Sequence, residues 1–157
     1  MKLSIRKGFG FGLTSGIITT LGLIIGLHSG TKSSMVIIGG ILVIAIADAF
    51  SDALGIHVSE EYEDKHTEKE IWISTITTFL TKFVFAISFV VPILILPLSI
   101  AIIISVAWGL SLLALFSFYI ARQQNANPYK VVTEHLIIAI LVIIATHFVG
   151  EWASGFK

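Results

Sequence analysis

The sequence predicts an all-α integral membrane protein in which five transmembrane helices form each protomer. Hydrophobic residues make up 55% of the 157 residues and charged residues only 13%, and the mean hydropathy is +0.95. Both values lie outside the usual range of soluble domains. A bilayer core about 30 Å thick needs roughly 20 helical residues to cross it, and five apolar runs approach or exceed that length. The runs are residues 9–27, 35–57, 71–95, 98–120 and 131–150.

Short connections join these runs, so a single membrane domain is expected over residues 1–157. The third and fourth runs are separated only by a break at Pro92 and Pro97. The first run lacks a small-residue cleavage site and is followed by further spans, so it is not expected to be a signal peptide. One compact helical bundle accommodates all five runs.

The composition also excludes several classes of function. The chain has no cysteine, which rules out disulfides and thiolate metal sites. Its ten basic and ten acidic residues give a formal net charge of zero, so no global field favours nucleic acid. No set of nucleophile, base and orienting group is visible, so an enzyme is not expected.

The distribution of basic residues predicts the orientation in the membrane. Short cytoplasmic segments carry an excess of lysine and arginine. An N-terminus in the cytoplasm and a C-terminus outside give seven basic residues inside and two outside. The inner ones are Lys2, Arg6, Lys7, Lys65, Lys69, Arg122 and Lys130; the outer ones are Lys32 and Lys157.

Small residues line one side of the first span. Gly8, Gly12, Gly16 and Thr20 follow one another at four-residue steps. Such spacing lets a second helix approach closely in lipid, where packing drives association. The stripe therefore predicts a tight helix contact or a permeation path lined by backbone. The two interpretations are compatible if the helix contact is the interface, or seam, of a symmetric homodimer and a permeation path lies beside it.

The second span carries two carboxylates on one face. Asp48, Ser51 and Asp52 share a narrow polar stripe on an otherwise apolar helix. Ionisable groups inside a membrane span are costly and mark candidate functional sites. Two carboxylates four residues apart, with a serine between them, can share a divalent cation. The alternative is a pair of carboxylates neutralised by nearby basic or polar groups.

Lys82 is the candidate for that neutralising group. It lies about 16 Å into the third span at 1.5 Å per residue, too deep for its ammonium to reach the interface comfortably. Asp48 is expected at similar depth, so an Asp48–Lys82 pair is predicted. In that arrangement Asp52 is the freer ligand, with Ser15 of the first span at comparable depth.

The acidic linker 58–70 is expected to be a helical extension of the second span in the cytoplasm. It is either a solvated face or a mouth that concentrates divalent cations. The residues assigned to such a mouth are Glu60, Glu61 and Asp64. Glu134, at the start of the fifth span, is expected at the same level. His57 is assigned, like Lys82, to tuning of charge.

The end of the fifth span carries His147 and Glu151, four residues apart. At the outer membrane surface these residues form either an ordinary interfacial pair or an exit site that accepts protons. Both residues are therefore further candidates for proton or charge tuning.

Four segments together resemble the vacuolar iron transporter family, which comprises plant and fungal importers of ferrous iron and manganese and their prokaryotic relatives. The first is GLTSGIITTLGLIIG, similar to the Gly-spaced first span of the family. The others are AFSDALGIHVSEE in the second span, the double-proline break VVPILILPL, and NPYKVVTEHLIIAILVIIATHFVGEW at the end. The resemblance implies a prokaryotic member without the large cytosolic metal-binding domain of the plant proteins.

The resemblance also implies site residues, and several of them differ here. The metal-binding Asp of the family's first span falls on Ser15, and the Met of its second span falls on Asp52. The Glu-Tyr of that second span falls on Ile56 and His57. Glu134 matches the Glu of the fifth span. A site of one hard and one soft ligand is thereby replaced by a site of oxygen atoms alone.

These observations predict a homodimeric transporter that exports Fe²⁺ or Mn²⁺ from the cytoplasm, in exchange for protons. The expected partners are a second copy of the chain, the lipid bilayer, divalent metal ions and protons; no tightly bound cofactor and no nucleic acid are expected. Two alternatives remain. One is a structural, dimerising membrane protein in which the charges form a buried pair, and the other is a transporter of a different solute.

Overall fold

The protein folds as a bundle of α-helices. The computed structural model describes residues 2–63 and 65–156, and within these ranges it contains helices and short connections but no strand. The helices are α1 (Lys2–Thr31), α2 (Ser34–Glu63), α3 (Glu68–Ser88), α4 (Val90–Ile95), α5 (Leu98–Gln123) and α6 (Pro128–Ser154).

Five helical segments in the described ranges are long and apolar enough to cross a membrane, which confirms the predicted multi-pass architecture. The third segment combines α3 and α4. Each segment is longer than its predicted run, because the helices continue through polar turns beyond the apolar residues. The segments are Leu3–Thr31, Ser34–Glu63, Glu68–Ile95, Leu98–Gln123 and Pro128–Ser154.

The acidic linker is divided between two helices. Its first half continues α2 to Glu63, as predicted, and its last residues form the first turn of α3. Thr67 starts α3 with a capping box, in which its side chain accepts a hydrogen bond from the backbone N–H of Glu70 and the Glu70 side chain accepts one in return. Asp64 lies outside the described residues.

The double-proline segment separates α3 from α5 through the short helix α4. Pro92 falls in the first turn of α4, where its missing N–H removes no helical hydrogen bond. Pro97 directly precedes α5, and its carbonyl accepts hydrogen bonds from the N–H groups of Ile100 and Ala101. Phe89, at the junction of α3 and α4, is fully buried and ties the break to the core.

Helix α1 lies at the centre of the bundle and contacts α2, α3, α5 and α6. Its first glycines face α3. A Cβ atom on Gly12 would lie 2.6 Å from the carbonyl oxygen of Thr78, and one on Gly16 would lie 3.2 Å from the Cα of Lys82. Its later glycines, Gly22 and Gly26, face Thr146 of α6. The absence of side chains therefore lets α1 approach both neighbours closely.

This packing corrects the predicted dimer seam. Gly8, Gly12, Gly16 and Thr20 are all buried within the protomer, and Thr20 has no exposed surface. The stripe does form a tight helix contact, but the partner is α3 of the same chain. These four positions consequently offer no surface to a second copy.

Candidate cation site around Lys82

A buried lysine defines the most unusual polar site of the bundle. Lys82 is 1% exposed and lies on the face of α3 that meets α1. Its aliphatic stem passes the backbone of Gly16, where a larger side chain on α1 would collide with it. Close packing of two helices thus places an ammonium group near the middle of the span Glu68–Ile95.

Three side chains from two other helices surround this ammonium group. The Nζ atom of Lys82 lies 2.5 Å from Oδ2 of Asp48 and 2.5 Å from Oδ2 of Asp52. It also donates a hydrogen bond of 2.9 Å to Oγ of Ser15. Ser15 in turn donates a hydrogen bond of 2.5 Å to Oδ2 of Asp52. We call these four residues, contributed by α1, α2 and α3, the lysine cluster.

The lysine cluster contains the predicted Asp48–Lys82 pair but differs from the prediction at Asp52. Asp52 contacts both Lys82 and Ser15, and its side chain is 19% exposed. Within residues 2–63 and 65–156, Asp48 has a polar side-chain contact with Lys82 alone, and its side chain is 33% exposed. The expectation that Asp52 is the freer carboxylate is therefore wrong. The reason is the close approach of α1, which brings Ser15 onto Asp52.

The charges of the cluster do not cancel. With two carboxylates and one ammonium ionised, the cluster carries one net negative charge in a setting where ionised groups are costly. The hydrogen bond that Ser15 donates to Asp52 offsets part of that cost, because it satisfies one of the carboxylate oxygens. The result is an anionic oxygen cage whose centre is filled by a lysine nitrogen.

Ser51 does not belong to this cage. Its side chain is exposed and takes part in none of the cluster's hydrogen bonds. One helical residue rotates a side chain by about 100°, which turns Ser51 away from the direction of Asp52. Among the described residues, no group of three or more His, Cys, Asp or Glu side chains is arranged to hold a metal ion. The cage therefore offers two carboxylates and one hydroxyl.

His57 is held away from the lysine cluster. Its Nδ1 lies 2.9 Å from Oγ1 of Thr75, and its Nε2 lies 3.5 Å from Oε1 of Glu61. The ring also packs edge-on against Trp72. His57 thus links α2 to α3 nearer the acidic linker, where it has no contact with Asp48 or Asp52.

The acidic residues of the linker are not a uniform solvated mouth. Glu60 is 1% exposed, and its Oε1 lies 3.2 Å from Nζ of Lys7. Lys7 also lies 3.5 Å from Oε1 of Glu63, so one lysine of α1 serves two carboxylates of α2. Glu61 remains exposed. The prediction that Glu60 lines an open mouth is corrected, because the first turns of α1 pack over it.

Lys7 is the partner that the sequence did not indicate. In the sequence it is one of several basic residues near the N-terminus, and nothing in its spacing points to α2. The only available signal is its charge, opposite to that of the linker. A second lysine–carboxylate site, which joins α1 to α2 rather than α3 to α2, consequently lies between the lysine cluster and the linker end of the bundle.

The residues proposed on the fifth span lie apart from the cluster. Glu134 is exposed and forms an ion pair of 3.8 Å with Lys130. At the opposite end of α6, Nδ1 of His147 lies 2.6 Å from Oγ of Ser29, and its Nε2 lies 3.4 Å from Oε1 of Glu151. The structure therefore places the fifth-span candidates at the two ends of the bundle.

Comparison with known proteins finds a family match for the first part of the chain. The model of the VIT family matches residues 9–72, which include α2 and most of α1. No significant match is found among curated proteins, and none is found among solved structures. The matched segment contains three members of the lysine cluster, while Lys82 follows ten residues after its end.

The match and the helical architecture agree with each other. A family of membrane transporters is expected to have several apolar spans, and five such segments are present in the described residues. Members of the VIT family are membrane transporters of metal or other ions rather than enzymes. Residues 9–72 of this chain therefore match the VIT family, in agreement with the predicted resemblance to vacuolar iron transporters.

Proposed function

We propose that this protein transports Fe²⁺ or Mn²⁺ across the membrane and that the lysine cluster is the site at which the cation binds. The observation that carries the proposal is the ammonium group of Lys82 between two carboxylates and a hydroxyl in the middle of the bundle. A cage of oxygen atoms that holds one cation has the chemistry to hold another.

The ligands favour a divalent ion that accepts oxygen donors. Asp48, Asp52 and Ser15 supply carboxylate and hydroxyl oxygens, which suit Mn²⁺ and the other harder divalent ions better than softer ones such as Cu⁺. Relative to the family pattern, the carboxylate has moved from the first span to the second. We expect this change to weaken selection for iron over manganese, because the softer Met ligand is absent.

The charge of the cluster supports an exchange mechanism. With Lys82 in place the cage carries one net negative charge, so it cannot take up a divalent ion without gaining a positive charge in a medium of low polarity. A metal ion and another positive charge therefore compete for the cage. Competition of this kind is what an antiporter uses, and we propose that protons are the exchanged ions.

The direction of transport follows from the proposed orientation. The basic residues favour an N-terminus in the cytoplasm and a C-terminus outside. In that orientation the acidic end of α2 faces the cytoplasm, where exposed residues such as Glu61 raise the local concentration of cations. We propose export from the cytoplasm, with Glu134 at the same inner surface.

A homodimer remains part of the proposal, but through a different surface from the glycine stripe. Asp48 is 33% exposed on the protomer, and the neighbouring positions Ser51, Gly55 and Ser59 of α2 are exposed as well. A polar face of this kind is costly against lipid. We propose that a second copy covers this face of α2 and that the cation path runs beside it.

A second candidate function is a structural membrane protein that does not transport. The observation that favours it is the same ion cluster, because Lys82 contacts both carboxylates and thereby occupies the cage. In this alternative the lysine cluster only orients α1, α2 and α3. The two candidates differ in whether the carboxylates are needed for ion movement or only for assembly.

Uptake into proteoliposomes distinguishes the candidates. We would measure Mn²⁺, Fe²⁺, Co²⁺, Zn²⁺ and Ca²⁺ with and without a pH gradient, for wild type, Asp52→Asn and Ser111→Ala. Ser111 is the control, because it is an exposed serine of α5 that lies outside both the lysine cluster and the proposed α2 interface. We expect transport of Mn²⁺ and Fe²⁺ by wild type and by Ser111→Ala, and strong loss in Asp52→Asn.

Two outcomes contradict parts of the proposal separately. If wild type moves none of these ions, the transport function is wrong and the structural candidate is favoured. If Asp52→Asn transports as well as wild type, the lysine cluster is not the cation site, although the protein is a transporter. If uptake does not depend on the pH gradient, the proposed exchange for protons is wrong, but the transport function and the cation site are not contradicted.

A further inference from the structure

A groove on the exposed surface of the helical bundle is not used by the proposed transport path. It lies between the N-terminal end of α1 and the C-terminal end of α5 and has a volume of about 640 Å³. Its wall is formed mainly by apolar and aromatic side chains, among them Leu3, Phe9, Phe116 and Ile120. The floor is open at Gly10, which has no side chain to fill the groove.

Aromatic rings pack together in one wall of the groove. The rings of Phe9 and Phe116 pack edge-to-face with centroids 5.5 Å apart, and Phe9 also contacts the ring of Phe85. Such edge-to-face contacts favour these ring orientations, so the wall holds together without a ligand. A groove with an apolar wall of this kind fits a hydrocarbon chain.

The rim of the groove is polar and carries a free positive charge. Arg6 lines the groove and is exposed, and it forms no ion pair or hydrogen bond within residues 2–63 and 65–156. The neighbouring Lys7 differs, because it is engaged by carboxylates of α2. Tyr119 and Gln123 add neutral hydrogen-bond donors on the α5 side.

We infer that this groove binds one anionic phospholipid of the surrounding bilayer. An acyl chain would lie along the aromatic wall, and the phosphate would contact the guanidinium of Arg6, with Tyr119 and Gln123 as further donors. Guanidinium groups bind phosphate oxygens through paired hydrogen bonds. Basic pockets between transmembrane helices at the cytoplasmic side are suited to anionic headgroups.

Charge decides between lipid and a second protein copy as the occupant. A helix of another protomer laid into the groove would cover Arg6, and nothing in the groove supplies a carboxylate to compensate it. A lipid phosphate compensates that charge directly. The polar rim and the apolar wall also follow the order of headgroup and acyl chain in a membrane.

Native mass spectrometry of the purified protein in detergent tests this inference. Phosphatidylglycerol and phosphatidylcholine would be added in parallel, and the fraction of protein with one bound lipid would be measured. We expect phosphatidylglycerol to bind about fivefold more tightly, the effect of one basic residue near an anionic headgroup. Equal binding of the two lipids would overturn the inference.

Two arginine variants, one inside the groove and one outside it, make the test specific. Arg6→Gln should remove the preference for phosphatidylglycerol, whereas Arg122→Gln should keep it. Arg122 is the matched control, because it is a basic residue of the last turn of α5 that stacks over Phe118 outside the groove. Equal losses in both variants would indicate diffuse surface charge and would contradict a defined site.

Filling the groove tests its apolar part. A Cβ atom on Gly10 would lie 3.5 Å from the ring of Phe116, an ordinary contact, so Gly10→Leu should occupy the groove without moving the backbone. We expect weaker binding of both lipids. Two results would overturn the inference. One is displacement of phosphatidylglycerol by inorganic phosphate. The other is that the wild-type protein forms a dimer without bound lipid and that Gly10→Leu abolishes this dimer, because the groove would then bind a second copy of the chain.

Discussion

Removal of the buried ammonium group is the sharpest test of how the lysine cluster is charged. We consider Lys82→Met, which keeps much of the side-chain length but deletes two ion pairs and one hydrogen bond. Two carboxylates would then face each other without a compensating cation. Breaking a buried ion pair by removing one partner costs about 3–5 kcal/mol.

The structure places the expected loss near the lower end of that range. Asp48 is 33% exposed and Asp52 is 19% exposed, so both carboxylates retain part of their solvation. Ser15 also keeps its hydrogen bond to Asp52. We therefore expect Lys82→Met to lower the free energy of unfolding by about 3 kcal/mol.

The assay is equilibrium unfolding in mixed detergent micelles, followed by circular dichroism. Lys69→Met is the matched control, because it removes an exposed lysine from the first turn of the same helix and should cost less than about 1 kcal/mol. A loss in Lys82→Met no larger than that of the control would refute the reasoning. It would mean that the carboxylates do not depend on Lys82 for compensation.

Three further predictions concern the packing and the charges around α1 and α2. Gly12→Ala should lower the free energy of unfolding by about 1–3 kcal/mol in the same equilibrium unfolding assay, because its Cβ would lie 2.6 Å from a backbone oxygen of α3. Gly39→Ala is the control and should lose nothing, because its Cβ would meet no other part of the protein within 4 Å beyond its chain neighbours and the nearby backbone of its own helix. The combined exchange of Asp48→Lys with Lys82→Asp should recover assembly lost in either single variant, measured by size-exclusion chromatography; no recovery would contradict a direct pair. Lys7→Gln should destabilise the protein by about 1–3 kcal/mol, since it leaves a buried carboxylate of α2 without its cation, and an unchanged unfolding midpoint would contradict that contact.

The sequence was sufficient for the architecture because membrane spans are determined by local properties. The length and hydropathy of each run predicted five membrane crossings. The prolines predicted the break between α3 and α5, because the N–H that proline lacks affects helical hydrogen bonds only at that position. The charged residues inside the spans were also visible without a structure. Asp48 and Lys82 stood out because ionised groups in apolar runs are rare.

The tertiary structure decided which of these residues meet. The glycine stripe of α1 predicted a close helix contact, but small residues fit any neighbour equally, so only the folded chain shows that α3 is the partner. That contact in turn brings Ser15 to Asp52 and makes Asp48 the more exposed carboxylate. The burial of Glu60 beneath α1 has the same origin, because a helix face is exposed or covered only by the packing of other helices. Periodicity along one helix determines the direction of a side chain, and contact between helices determines its chemistry.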